Sequence, residues 1–205
     1  MDFAMQLRDG GLPLERLRSE LFEPAARYLG ELWDQDRLGF AEVTMGLARL
    51  QHLVHAFSGG GAAPDHDDRR RALMLTAPGE QHSLGNSMVQ ESLRAEGWHV
   101  SSCPSADARH IAGVVAREWF GVVGFSASTD DHIDDLAQAV TAVRESSLNR
   151  SVGIMVGGPA FAGRPGLALE IDADGTAANA PDAVLLARRL LILSLLTANP
   201  SYSRA

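Results

Sequence analysis

The sequence lacks the features that mark several large classes of protein. It has one cysteine, Cys103, in 205 residues, which excludes an internal disulfide and favours a cytosolic location. No apolar run approaches the roughly 20 residues that a membrane-spanning helix needs. The segment MDFAMQLRDGG at the N-terminus lacks the basic and apolar regions of a secretory signal. We therefore expect a cytoplasmic chain with no membrane association.

A surplus of positive charge is also missing, since the formal net charge is −8. Duplex DNA is bound through clustered Lys and Arg, and the sequence has neither helix-turn-helix nor zinc-finger spacing. We expect no direct DNA binding, so that any effect on DNA would pass through a protein partner. Two acidic stretches, DHDD (65–68) and DDHIDD (130–135), are interpreted as a solvated linker and an acidic helix start rather than as metal sites.

Motifs of common enzyme classes are absent as well. The first candidate strand is followed by neither G-x-G-x-x-G nor a P-loop lysine, which argues against a dinucleotide or nucleoside triphosphate site. The chain has no nucleophile elbow and no zinc-site spacing of His and Cys. We therefore expect a protein that is not an enzyme.

The N-terminal part has a helical pattern. From Pro13 onward apolar residues recur every three or four positions, and a second such stripe runs over 39–57. A short stub at 2–9 could add a further helix. Residues 1–57 are predicted to form a small helical cap. The glycine-rich and charged residues 58–71 are predicted to form a flexible linker.

The remaining residues, 72–198, alternate between strand and helix patterns. Predicted strands are RALMLTA (71–77), HVSSCP (99–104), FGVVGFSAS (120–128), SVGIMVGG (151–158) and ALEID (168–172). Predicted helices cover 85–96, 105–119, 130–146 and 181–196. This alternation predicts an α/β fold, a doubly wound (flavodoxin/Rossmann-like) five-stranded parallel sheet preceded by the helical cap. In such folds ligands bind beyond the carboxyl ends of the strands.

The loops at those strand ends carry the candidate functional residues. They are Glu80, His82 and Gly85 after the first strand, Ser126 and Ser128 at the third, and Gly157 and Gly158 at the fourth. Each has an ordinary alternative: a solvated loop histidine, hydroxyl turn residues, and glycines that let the backbone turn. The spacing is the distinctive feature, with 40 residues between Gly85 and Ser126 and 28 between Ser128 and Gly157.

Together these segments resemble the cobalamin-binding domain of the methionine synthase and methylmalonyl-CoA mutase type. The family signature D-x-H-x-x-G, S-x-L, G-G appears here as E-Q-H-S-L-G, S-A-S and G-G, and the resemblance covers roughly residues 70–197. It implies that adenosyl- or hydroxocobalamin is bound base-off, with His82 as the lower ligand of cobalt. Glu80, where the family has Asp, would hold the other imidazole nitrogen, fix the tautomer and strengthen the ligand.

The same resemblance places further residues along the displaced nucleotide tail: Gly85, Ser126, Ser128, Gly157, Gly158, Asp174 and Thr176. Gly85 would let the tail pass close to the first helix, and Ser126 would meet the benzimidazole nitrogen. The two paired glycines would leave room for the tail. Ser128 stands where the family has Leu. Asp174 and Thr176 belong to DADGTAANAPDAV, which resembles the family's GAD-x-x-A loop at the far end of the tail.

The helical part resembles the bundle that covers the upper corrin face in this family. LGELWDQDRLGFAEVT is similar to LGExWxxGxIxxAEEH, which aligns Trp33 with the tryptophan that shields the upper ligand. The alternative is that Trp33 is a core residue between two helices. Val43 and Thr44 stand where related photoreceptors have Glu-His, and Glu42 comes one position early. We therefore expect no bis-histidine adduct through that position.

Two segments, ARYLGELWDQDRLGFAEVT and TAANAPDAVLLARRLL, are most similar to the AerR/PpaA antirepressors of purple photosynthetic bacteria. This resemblance implies a light-responsive transcriptional regulator that acts on a PpsR/CrtJ-type DNA-binding repressor. Light would break a cobalt–carbon bond above Trp33 and change the packing of the cap. A short cap also exposes an apolar face, which a partner or a second copy in a homodimer could cover. The alternatives are a corrinoid shuttle subunit of a methyltransferase system and, more distantly, haem binding in the same cleft.

Overall fold

The computed structural model describes residues 10–11, 13–35, 37–57, 67–103 and 106–198. The chain falls into two compact units, which divide between residues 62 and 63. The stub predicted at 2–9 and residues 58–66 of the predicted linker lie outside the described residues. Within the described part, no helix combines the length and apolar character needed to cross a bilayer.

The first unit is helical, as the apolar spacing predicts. Its elements are α1 (Leu14–Leu17), a π-helical turn (Arg18–Phe22), α2 (Glu23–Asp34) and α3 (Phe40–Phe57). The amino end of α3 is capped by Glu42, because its Oε2 accepts a hydrogen bond from the Gly39 backbone N–H at 2.8 Å. Glu42, which stands one position before the Glu-His pair of the related photoreceptors, therefore caps a helix.

The second unit contains a five-stranded, fully parallel sheet in the order β2-β1-β3-β4-β5. The strands are β1 (Arg71–Thr76), β2 (His99–Ser102), β3 (Val122–Ser126), β4 (Gly153–Gly157) and β5 (Gly175–Ala177). Helices α4 (Leu84–Ala95), α5 (Ala108–Val115), α6 (Ile133–Ser146), α7 (Pro165–Glu170) and α8 (Ala180–Ala198) connect or follow them, with 3₁₀ turns at Asp130–His132 and Pro159–Phe161. The doubly wound α/β prediction is confirmed.

The position predicted for the fifth strand is wrong. Residues 168–170 belong to α7, and its Leu167 and Ala168 are buried on one side together with Ile171, the residue that follows the helix. The helix begins at Pro165, a residue favoured at the first helical position. The actual β5 is Gly-Thr-Ala, which is too short and too small to produce an apolar run. It is a strand because it pairs with Met155–Gly157 of β4.

Both faces of the sheet are covered. Side chains alternate along each strand, so Val123 and Phe125 of β3 join the apolar cluster under α5, α6 and α7, whereas Val122 joins the cluster under α4 and α8. Met74 and Met155 of the neighbouring strands also belong to this second cluster. Burial on both faces explains the nearly continuous apolar character of the central strands.

The strand order creates a switch point between β1 and β3. The chain leaves β1 toward α4 on one face and leaves β3 toward α6 on the other, which opens a crevice at the carboxyl edge. The ladder continues past the strand ends, since Ala77 N–H donates to Ser126 O at 2.8 Å and Ala127 N–H donates to Gly157 O at 3.0 Å. The loops after β1, β3 and β4 are therefore held side by side.

A substitution at Gly158, in the loop after β4, would test how closely the loops of this edge are packed. Its φ is +100° with ψ of 174°, a region open essentially to glycine alone, and a Cβ there would collide with the carbonyl oxygen of Ala127. We expect Gly158→Ala to lower the free energy of unfolding by about 3 kcal/mol in urea titrations. Gly163 also has positive φ but no atom near its Cβ position, so Gly163→Ala should cost only about 1 kcal/mol. Equal losses in the two variants would contradict the close approach to Ala127.

Candidate functional site

The carboxylate of Glu80 joins two loops of the carboxyl edge. Its Oε1 accepts hydrogen bonds from the backbone N–H of His82 at 2.8 Å and from the His82 ring at Nδ1 at 2.6 Å. Its Oε2 accepts a hydrogen bond from the backbone N–H of Ser128 at 2.8 Å. The Glu80 side chain is 2% exposed, whereas that of His82 is 64% exposed. A buried anion therefore supports an imidazole that faces solvent.

The ionisation of Glu80 determines the tautomer of His82. Burial raises the pKa of Glu80, but hydrogen bonds from the His82 and Ser128 backbone and from the His82 ring lower it more, so the pKa lies below its ordinary value. An ionised carboxylate can only accept hydrogen bonds, so Nδ1 must be the protonated nitrogen. The neutral ring then presents the Nε2 lone pair, the form of histidine that binds metals.

Two departures from the family pattern leave this arrangement intact. The additional methylene of Glu80, relative to the family's Asp, still allows a 2.6 Å contact with His82. Ser128, which replaces a leucine, reaches Glu80 through its backbone N–H. The identity of the Ser128 side chain therefore does not enter the hydrogen bond that links the two loops.

The surroundings of His82 suit a metal that brings most of its own ligands. Among the described residues, no group of three or more His, Cys, Asp or Glu side chains could hold a bare ion. Within the acidic stretch at 130–135, Asp130 pairs with Arg164 at 2.6 Å. One exposed imidazole is too few ligands for an isolated divalent ion, but it suffices as an axial ligand to a metal in a macrocycle.

Ser126 ends β3 at the switch point and carries a buried polar atom without a partner. Its Oγ makes no hydrogen bond to any described residue. It lies in register with Thr76 of β1 and Gly157 of β4, on the face covered by α4 and α8. An unsatisfied buried hydroxyl costs about 1–3 kcal/mol, so this position fits contact with a polar atom of a ligand.

The three predicted glycines of the site differ in whether the surrounding protein leaves room for a side chain. A Cβ on Gly85, in the first turn of α4, would meet no atom within 4 Å, so the packing of the described protein does not require glycine there. A ligand group that passes along the first turn of α4 would require glycine at position 85. By contrast, a Cβ on Gly157 would lie 2.9 Å from the carbonyl oxygen of Ala177, and Gly158 is held against Ala127. The protein's own backbone requires glycine at these two positions.

Two further predicted residues of the α/β unit, Asp174 and Thr176, lie at β5. Asp174 is at the amino end of β5, where its carboxylate accepts a hydrogen bond from Ile154 N–H at 2.6 Å and pairs with Arg144 at 3.0 Å. Thr176 lies in β5 opposite Val156. Trp33 belongs to α2 of the helical unit and is 45% exposed, which disfavours its interpretation as a core residue. The structure therefore gathers Glu80, His82, Ser126 and Ser128 but not Asp174.

A second feature of the carboxyl edge was not anticipated from the sequence. The ring of His132 packs on Gly79, where a Cβ would be 3.2 Å from its Nδ1. Beside it a cleft of about 390 Å³ is lined by Pro78, Gly79, Asp107, Ala108, Arg109, Asp135 and Gln138. None of the predicted site residues lines this cleft. It lies between the β1 loop and the starts of α5 and α6, whereas Ser126 faces α4 and α8.

The chain was compared with protein families, with curated proteins and with solved structures. A family model described as the B12 binding domain matches residues 70–185. A relative from Rhodobacter capsulatus, named an uncharacterized 20.5 kDa protein in the bchF-crtJ intergenic region, is 29% identical over 155 residues. That match covers 75% of this chain and 80% of the relative.

Solved structures with the same fold include two corrinoid proteins. The monomethylamine corrinoid protein of Methanosarcina barkeri matches with a TM-score of 0.76 and 18% identity, over 92% of this chain and 89% of that one. A cobalamin-binding protein from Desulfitobacterium hafniense DCB-2 matches with a TM-score of 0.53 and 19% identity, over 83% and 82%. At these identities the likeness shows the fold.

The Glu80 network predicts a specific pH dependence of stability. Because the pKa of Glu80 is lower in the folded than in the unfolded chain, its carboxylate stabilises the fold above the unfolded-state pKa. This contribution is lost as the pH falls through the folded-state pKa. We expect Glu80→Gln to lower the free energy of unfolding by about 2 kcal/mol at pH 7. The difference from the wild type should shrink below about pH 4 in urea titrations.

The control is Glu170→Gln, which changes an exposed carboxylate at the end of α7. This variant should unfold like the wild type at every pH. A Glu80→Gln deficit that stays constant down to pH 2 would show that the ionised carboxylate is not the stabilising group.

Proposed function

Because the chain belongs to the B12-binding domain family, we propose that it is a cobalamin-binding, light-responsive transcriptional regulator that acts through a DNA-binding partner. The observation that carries the cobalamin part is the His82–Glu80 pair at the β1/β3 switch point, with Nδ1 held at 2.6 Å. The buried Ser126 Oγ and the open surroundings of Gly85 support a nucleotide tail beside it.

Each residue of the site has a distinct task in this proposal. His82 would bind cobalt through Nε2, and Glu80 would keep the proton on Nδ1 and the ring in place. Ser126 would hydrogen-bond the displaced benzimidazole. When bound, adenosylcobalamin would supply a cobalt–carbon bond that light can break. We propose that Trp33 and the helical unit shield that upper face and pass the change on to a partner.

The regulatory part rests on the sequence and on one relative. The Rhodobacter capsulatus relative is encoded between bchF and crtJ, and crtJ carries the name of the PpsR/CrtJ-type repressors that the sequence resemblance implies as partners. A net charge of −8 favours contact with a DNA-binding protein over contact with DNA itself. We propose a cytoplasmic protein without turnover of its own.

Cobalt ligation by His82 can be read from the absorption spectrum. Purified protein is mixed with hydroxo- or adenosylcobalamin in darkness, desalted, and measured before and after blue-green light. We expect a histidine-ligated, base-off spectrum with either corrin, and a shift of that spectrum on illumination when the corrin is adenosylcobalamin. His82→Ala should lose the histidine-ligated form, whereas His110→Ala, which removes an exposed imidazole from α5, should retain it. If neither corrin co-elutes with the wild type, the cobalamin proposal fails, and haem becomes the ligand to test.

The regulatory role predicts light-dependent binding of a purified PpsR/CrtJ-type repressor. With adenosylcobalamin bound, capture of the repressor should differ between darkness and illumination, and the difference should vanish in His82→Ala. A corrinoid shuttle subunit would behave differently, since it would pass a methyl group from methylated corrin to a corrinoid-dependent methyltransferase. Methyl transfer together with light-independent capture would overturn the regulator and favour the shuttle.

A further inference from the structure

Asn86 is a buried polar residue that the packing of the fold does not explain. It lies in the first turn of α4, directly after Gly85, and is 6% exposed. Its Oδ1 is buried and accepts no hydrogen bond from any described residue. A buried amide oxygen without a donor costs about 1–3 kcal/mol, and an apolar side chain of the same shape would avoid that cost.

Asn86 and Ser126 lie on the same side of the sheet. Helix α4 packs against β1, β2, β3 and α8, so its buried residues belong to this face. Along β3, Val122 joins the cluster of this face and Phe125 joins the opposite one, so alternation places Ser126 with Val122. Two unsatisfied polar atoms, Asn86 Oδ1 and Ser126 Oγ, therefore occupy the carboxyl edge of one face, beside the His82 loop.

The layer beneath them is apolar. A Cβ on Gly124, two residues before Ser126, would meet Met74 Sδ at 2.5 Å and Met155 Cε at 3.0 Å, so the two methionines close over this glycine. Above the two methionines, Thr76 of β1 and Ser126 of β3 lie in register and form a polar layer at the strand ends. A ligand that enters from the carboxyl edge would meet this polar layer before the methionines.

We propose that Asn86 binds the nucleotide tail of cobalamin, with Oδ1 accepting a hydrogen bond from a donor on that tail. The inference rests on the proposed cobalamin function and adds a residue outside the family signature. Because an amide oxygen only accepts, its partner must be an N–H or O–H group. Ribose hydroxyls provide one in every cobamide, and an exocyclic amine provides another when the lower base is adenine.

The test compares Asn86→Leu, a nearly isosteric apolar substitution, with a matched control on the same helix. Ser92 Oγ is also buried without a partner, six residues further along α4, so Ser92→Ala removes a comparable atom far from the carboxyl edge. Affinities are measured for hydroxocobalamin, for a cobamide with adenine as lower base, and for cobinamide, which lacks the tail. The melting temperature of each apoprotein is recorded in parallel.

We expect Asn86→Leu to weaken binding of hydroxocobalamin about tenfold, to leave cobinamide affinity unchanged, and to raise the melting temperature. Ser92→Ala should also raise the melting temperature but leave all affinities unchanged. Equal losses for both cobamides would identify a ribose hydroxyl as the donor. A larger loss for the adenine cobamide would identify the exocyclic amine.

Unchanged affinity for both cobamides in Asn86→Leu, or an equal loss for cobinamide, would overturn the inference. Asn86→Ala serves as the second variant if the leucine variant does not fold, with the same expected pattern of affinities. Failure of wild-type protein to bind any of the three corrins would instead overturn the proposed function.

Discussion

The buried carboxylate of Glu80 is the interaction on which the site depends. It contacts both loops of the β1/β3 switch point, through His82 and through the Ser128 backbone. Its ionised form places the proton on Nδ1 of His82 and leaves the Nε2 lone pair available to a metal. The switch point makes this possible, because the chain departs from β1 and β3 toward opposite faces and leaves a crevice between them.

The two faces of the sheet serve different purposes. The side covered by α5, α6 and α7 is an apolar core that continues to the carboxyl edge, where Phe125 and Ala127 remain buried. On the other side the apolar layer stops at Met74 and Met155, and polar or small residues follow. Unsatisfied atoms such as Ser126 Oγ destabilise the fold by themselves, and proteins carry such costs mainly at functional sites.

Membership of the B12-binding domain family accounts for the α/β unit, whereas the biological role depends on what that unit serves. A regulator and a corrinoid shuttle would use the same axial histidine and the same crevice. They would differ in the helical unit and in the partner protein that binds this unit. In that unit Glu42 caps α3 and Trp33 is 45% exposed, so neither residue is buried in its core.

The sequence by itself determined the fold class and placed the candidate site residues in loops at one edge of the sheet. Apolar runs separated by helical patterns predict a parallel sheet, and loops that follow parallel strands meet at one edge, which brings His82 near Ser126. The residues 175–177 escaped detection because Gly-Thr-Ala has no strand pattern of its own and pairs only because β4 lies beside it. Tertiary structure alone decided that Glu80 reaches the Ser128 N–H, that Asp174 faces Arg144 at the amino end, and that Asn86 is buried. These contacts join residues distant in the chain, or depend on how a helix lies on the sheet. Strand register and packing set them, and neither has a local signal in the sequence.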